Sequence, residues 1–231
     1  MRDVMPIIPM YDDTLRIIDD WTRPCAVAAA GLAPNPRDSL SGHPMLMRPS
    51  EDWPTGADGP FDSVIQIRIA EVPVVPSSIV GAGLITVFAD PVGSALHEML
   101  ENGNGWELRV YSSVDDLVPK NPPIGTFPNP ERITWERGND EGPRWADITL
   151  ILSEIGHEEL AANNEFFEAA ALSHRYSQHF GTKVGGWPTP CQAVGFDTSL
   201  SFAFQVITSW GGIMCVFKSL SGGWKMYQDA S

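Results

Sequence analysis

Hydrophobic and polar positions change period several times along this chain. From Thr14 the apolar residues Leu15, Ile18 and Trp21 fall at helical spacing, with Thr14 as an N-cap and Pro24 as a stop. Residues 33–59 are rich in Pro, Gly, Ser and Asp, which predicts a long irregular loop. "FDSVIQIRIAEVPVVP" and "AGLITVFADP" are then β-branched runs bounded by proline or glycine, and so strands. Asp90-Pro91 supplies an N-cap and a first-turn proline for a helix over 92–103. That helix has Val92, Leu96, Met99 and Leu100 on one face and Gly103 at its end.

"WELRVYSS" at 106–113 predicts a third strand, and Asp115 and Asp116 a short helical turn. "ERITWERG" and "ADITLILSE" continue the strand pattern, the latter by alternation of Ile148, Leu150 and Leu152. The longest helix is predicted from about Glu158 to Phe180, with Phe166, Ala169, Ala170, Ser173 and Phe180 on one face and Gly181 as its stop. "SFAFQVITS" and "GGIMCVFKS" form a strand pair around Trp210-Gly211-Gly212. The expected fold is a single α+β domain over 1–231, with a mostly antiparallel β core and a few packed helices.

The β core carries a repeat. Trp53-Pro54, then a strand centred on Gln66, then Gly83 opening a strand that ends Val87-Phe88, parallels Trp187-Pro188, Gln205, Gly212 and Val216-Phe217. The spacing from glutamine to glycine differs, as expected where a loop has grown. The expectation is a duplicated strand-loop-strand unit, over about 40–110 and 180–225. These residues, with "KVGGWPTPCQ" and "SWGGIMCVF", resemble the YwqG-like family of bacterial proteins, a domain family of undefined function. The resemblance touches both halves. It departs in the shorter turn of "TSWGGIMCVF" and in Arg68, where the family commonly has an acidic residue. It implies one α+β domain with a duplicated β core, and no established activity. "VGGWPTPCQ" itself reads as a turn: Gly185 and Gly186 allow positive φ, and Trp187 anchors the loop in the core.

Charge changes the picture. The net charge is −14, from 15 basic and 29 acidic residues. Such a surface repels nucleic acid and anionic membranes and attracts basic partners. The apolar fraction of 43% is enough for a packed core. "MRDVMPIIPMYDD" has no secretory pattern, and the apolar run "AVAAAGLA" is too short to span a bilayer. Cys25, Cys191 and Cys215 show no CxxC spacing and are odd in number, which argues against disulfides and against zinc. The expected compartment is cytoplasmic.

Candidate chemistry is sparse. No nucleophile elbow, HExxH, P-loop or dinucleotide fingerprint is present. His174 and His179 lie five apart and fall on different sides of a helix, so no metal site and no cofactor is expected. Cys191 and His174 are the best enzyme candidates, and the chain is expected not to be an enzyme. Acids concentrate instead: Glu131, Glu136, Asp140, Glu141, Asp147, Glu154, Glu158, Glu159, Glu165 and Glu168 stand against three arginines. Asp140, Glu141, Glu154, Glu158, Glu159, Glu165 and Glu168 are the expected partner-binding residues.

A focused negative face captures cationic partners. The expected function is therefore that of a bacterial immunity protein, which binds and neutralises a basic toxin, a nuclease in the concrete case. The alternative is a small-molecule module with a pocket between the duplicated halves lined by Trp53, Trp187 and Trp210.

Overall fold

The computed structural model describes residues 19–32, 34–90, 98–123, 130–143, 148, 152–153, 156, 178–189 and 199–230. Of these residues 46% are strand and 6% helical, and no helix reaches seven residues. This overturns the α+β expectation with packed helices: the fold is mostly antiparallel β, a sheet curled into a half-barrel.

The described strands are β1 (Cys25–Ala30), β2 (Leu40–Ser41), β3 (Met45–Met47), β4 (Asp62–Arg68), β5 (Leu84–Ala89), β6 (Met99–Glu101) and β7 (Trp106–Tyr111). They continue with β8 (Val118–Lys120), β9 (Glu131–Arg137), β10 (Lys183–Gly185), β11 (Leu200–Thr208), β12 (Gly212–Ser219) and β13 (Trp224–Ala230). Eleven form one sheet in the order β6-β13-β12-β11-β10-β1-β9-β2-β4-β5-β7, and β3 pairs with β8 alone. Among the described residues no helix is long and apolar enough to cross a membrane.

Several expected helices give way to other structure. Met99–Glu101, placed on a helix by its spacing, is strand β6 along the edge of β13. Backbone pairing with β13 and two bonds from Trp106 Nε1, to the carbonyls of Leu100 and Glu101, outweigh the local periodicity. The error runs the other way at Ile148 and Leu152, expected in a strand: both are helical and buried, and their spacing of four suits one helical face. Trp21 lies in a turn. The long helix expected from Glu158 falls on residues outside the described set, except 178–180, which are not helical.

One face of the sheet carries a continuous core drawn from both ends of the chain. Ile65, Ile67, Ile85 and Val87 pack in one cluster with Phe204, Val206, Met214 and Val216. The alternation that made β4, β5, β11 and β12 recognisable sends these residues to one side and Gln66, Thr86, Gln205 and Cys215 to the other.

Two halves of the sheet match in detail. Gln66 stands opposite Leu40 and Thr86, and Gln205 opposite Lys183 and Cys215. Gln66 Oε1 accepts from the Leu46 amide at 2.7 Å, and its Nε2 donates to the carbonyls of Pro36 and Asp38 at 2.9 and 2.8 Å. Gln205 repeats the pattern with the Thr189 amide at 2.8 Å and the carbonyls of Phe180 and Gly181 at 3.3 and 2.9 Å. Both β4 and β11 bulge two residues before the glutamine, between Ser63 and Ile65 and between Phe202 and Phe204. Trp106 and Trp224 open the next strand at the same register, opposite Ala89 and Lys218.

The Trp-Pro pairs do not correspond in this frame. Thr189 matches Leu46, so Trp187-Pro188 takes the place of Pro44-Met45, while Trp53-Pro54 lies further along its own half. The halves meet where β1 pairs antiparallel with β9, with Ala28 opposite Trp135 in the middle. Each of these two strands also sits in the other's half: β1 pairs with β10, and β9 with β2.

Candidate functional site

The two halves differ in the strand that pairs beside each glutamine. Where the N-terminal half buries Leu40, the C-terminal half buries Lys183, fully removed from solvent. Its ammonium lies 2.9 and 2.7 Å from the two carboxylate oxygens of Glu141, which is itself 1% exposed. Glu141 is held in place by backbone bonds in both directions with Arg23, at 2.8 and 2.9 Å. Its carboxylate also accepts from the His179 amide at 2.6 Å and the Trp187 amide at 2.9 Å. Two charges out of water are tolerated only with such complete pairing. Burial holds the Lys183 ammonium below the usual lysine range, against the opposing pull of Glu141.

The first part of "VGGWPTPCQ" wraps this ion pair. Gly185 and Gly186 have φ of +73° and +72°. A Cβ on Gly185 would come within 2.8 Å of the Pro24 carbonyl, and one on Gly186 would collide with the Glu141 carboxylate. The chain can pass over the carboxylate only as glycine. Trp187 follows, 3% exposed, and its Nε1 donates to the Trp21 carbonyl at 2.9 Å. The Arg23 guanidinium stacks 3.9 Å above its ring. The remainder of the stretch, from Pro190, lies outside the described residues.

Two cavities flank the pair. One, of about 330 Å³, is bounded by Cys25 and Val27, by Arg137 to Asn139, by Glu141, and by Gln178 and His179. Cys25 Sγ donates to the Asn139 carbonyl at 3.3 Å, and burial, reinforced by the Glu141 charge, pushes the thiol up to about 11. A protonated, buried thiol is a poor nucleophile and a poor metal ligand. The other cavity, of about 460 Å³, lies beyond Gly185 and Gly186.

The acids expected to bind a partner are thus separated. Glu141 is not on the surface at all: its charge is spent on Lys183, and this corrects its expected place on an exposed negative face. Asp140 remains outside, with half of its side chain exposed and an ion pair to Arg137 at 3.1 Å. Glu154, Glu158, Glu159, Glu165 and Glu168 lie outside the described residues, as do His174 and Cys191.

The three tryptophans expected around a shared pocket are dispersed. Trp53 packs edge-on to Phe88, Trp187 lies beneath Arg23, and Trp210 joins the common core. Neither cavity has any of them in its wall. No group of three or more His, Cys, Asp or Glu among the described residues is placed to hold a metal ion.

Lys183 and Arg23 carry no weight in a reading by motifs, yet they organise this region. The available signal was Lys183 itself, the one lysine between Lys120 and Lys218, set directly before Val-Gly-Gly. The described site combines a sealed ion pair, a protonated thiol and two cavities, with no nucleophile set against a base. No family model matches this chain, and no curated protein matches it.

Proposed function

We propose that this chain is a non-enzymatic acidic interaction protein whose partner is a basic protein, in concrete form an immunity protein that neutralises a basic toxin such as a nuclease. The observation that carries this reading is the charge: −14 in total, with Glu131, Glu136 and Asp140 exposed on β9 and the turn that leaves it. Opposite potentials steer encounter and orient the docked pair. Supporting it, Cys25 and Cys215 are buried, which withdraws two of the three thiols from nucleophilic chemistry. The YwqG-like resemblance belongs to the same reading and adds no activity to it.

A pull-down of the tagged chain from its native host, at low salt and at about 0.5 M salt where the Debye length is only a few ångströms, tests it. The expected result is one stoichiometric basic protein, weakened by salt and toxic when expressed alone. Columns without prey in both conditions overturn a standing complex.

A further inference from the structure

The eleven-stranded sheet ends in β6 on one side and β7 on the other, and these outermost strands are consecutive in the chain. The turn at 102–105 that links them therefore holds both ends of the curled sheet. It is tied to the inner neighbour of each edge. The Asn102 amide donates to the Trp224 carbonyl on β13 at 3.0 Å, and the Gly105 carbonyl accepts from the Asp90 amide, just past β5, at 3.0 Å.

The turn reads Asn102-Gly103-Asn104-Gly105, and the chain has no other Asn-Gly pair. The two pairs are alike in sequence and unlike in structure. Asn102 has its carboxamide bonded at both ends: Nδ2 donates to the Leu108 carbonyl at 3.1 Å, and Oδ1 accepts from the Leu108 amide at 2.8 Å. The amide that follows it, on Gly103, donates to the Trp106 carbonyl at 2.9 Å. Asn104 is exposed, and its side chain bonds nothing among the described residues. The Gly105 amide likewise finds no acceptor among them, and at a φ of +73° it carries no Cβ to obstruct approach.

We propose that Asn104 is a site of spontaneous modification, converted to isoaspartate and aspartate through a cyclic imide with Gly105, while Asn102 is protected. The Gly105 nitrogen attacks the Asn104 carboxamide carbon and gives its proton to solvent. The carboxamide nitrogen leaves as ammonia, taking a proton from solvent. Water then opens the imide at either carbonyl. Asparagine is chemically labile in general, and here attacking nitrogen and target carbon are both free to meet. Each event adds a negative charge, and the isoaspartate product lengthens by one backbone carbon the turn that joins the sheet's two ends. The site is independent of the acidic surface and of any protein partner.

Incubation of the full chain in mildly alkaline buffer, folded and in urea, tests the assignment, with fragment-ion mass spectrometry and labelling by an isoaspartyl methyltransferase. In the folded protein Asn104 is expected to gain about 1 Da at least about ten-fold faster than Asn102. In urea, where neither residue is held, the two rates should agree within about three-fold. Asn104→Gln breaks no side-chain bond and is expected to remove the methyltransferase label from this turn. Equal rates in the folded chain, a faster Asn102, a ratio unchanged by urea, or label that survives Asn104→Gln overturns the proposal.

Discussion

Lys183 and Glu141 form an ion pair at 2.7 Å from which water is excluded, at a place where the matching half of the sheet holds Leu40. The contact joins β10 to the segment after β9, so it ties the turn at Gly185 and Gly186 to the exit of the central strand pair. Because Leu40 shows that the position accepts an apolar side chain, Lys183→Leu is expected to fail for electrostatic reasons and not for lack of room. The orphaned carboxylate should cost about 3–5 kcal/mol in urea unfolding. Adding Glu141→Gln should restore more than about 1 kcal/mol, since the amide oxygen still accepts from the His179 or Trp187 amide. A double variant no more stable than Lys183→Leu would count against this account.

Gly186→Ala is expected to destabilise more than Gly222→Ala. Both residues have positive φ, and each should lose about 1–2 kcal/mol for the backbone alone. Gly222 has open space where a Cβ would stand, whereas Gly186 has the Glu141 carboxylate and the Cys25 Cβ. Thermal unfolding of the two variants separates the backbone cost from the collision, and equal melting temperatures would refute the crowding argument.

The paired glutamines predict matching losses. Gln66→Leu strands the Leu46 amide and the carbonyls of Pro36 and Asp38, and Gln205→Leu strands the Thr189 amide and those of Phe180 and Gly181. Each should cost about 1–3 kcal/mol, with additive losses in the double variant because no bonding partner is shared. Strong non-additivity in denaturant unfolding would show that the two knots are coupled.

Cys25 gives a pH dependence with a definite sign. Its thiol is raised to about 11 in the folded protein, against an ordinary value near 9.0, first by burial and then by Glu141. The folded state therefore holds a proton that the unfolded chain releases. The stabilisation is complete below pH 9.0 and is lost as pH rises towards about 11. Cys25→Ala should flatten the fall in stability across that window. Alkylation of Cys25 at pH 8, read by peptide mapping, should be slow in the folded protein and fast in urea.

What could be read in the sequence follows from where the determining contacts lie. The strands at β4, β5, β7, β11 and β12 announce themselves because β-branched and aromatic residues alternate between Gly and Pro boundaries. β1 has alanine at four of its six positions, a residue with little strand preference, and it is a strand because β9 and β10 pair with it on both sides. The same override turned Met99–Glu101 from a helical pattern into the partner of β13. The two glutamines and the Val-Phe endings occupy matching positions in the sheet, whereas the two Trp-Pro pairs do not, since tryptophan recurs for packing reasons unrelated to position. Glu141 counted as one more surface acid because its partner lies on another strand, and no spacing along the chain encodes that approach.

The exchange of β1 and β9 between the halves orders the events of folding. As synthesis proceeds from the N-terminus, β2 lacks its inner neighbour until residues 131–137 have been made, and β1 lacks one of its two partners until Lys183–Gly185 follow. Neither half can close first and serve as a template for the other. Assembly waits on contacts between residues far apart in the chain, so stopped-flow refolding is expected to be slow, as for other sheets of high contact order.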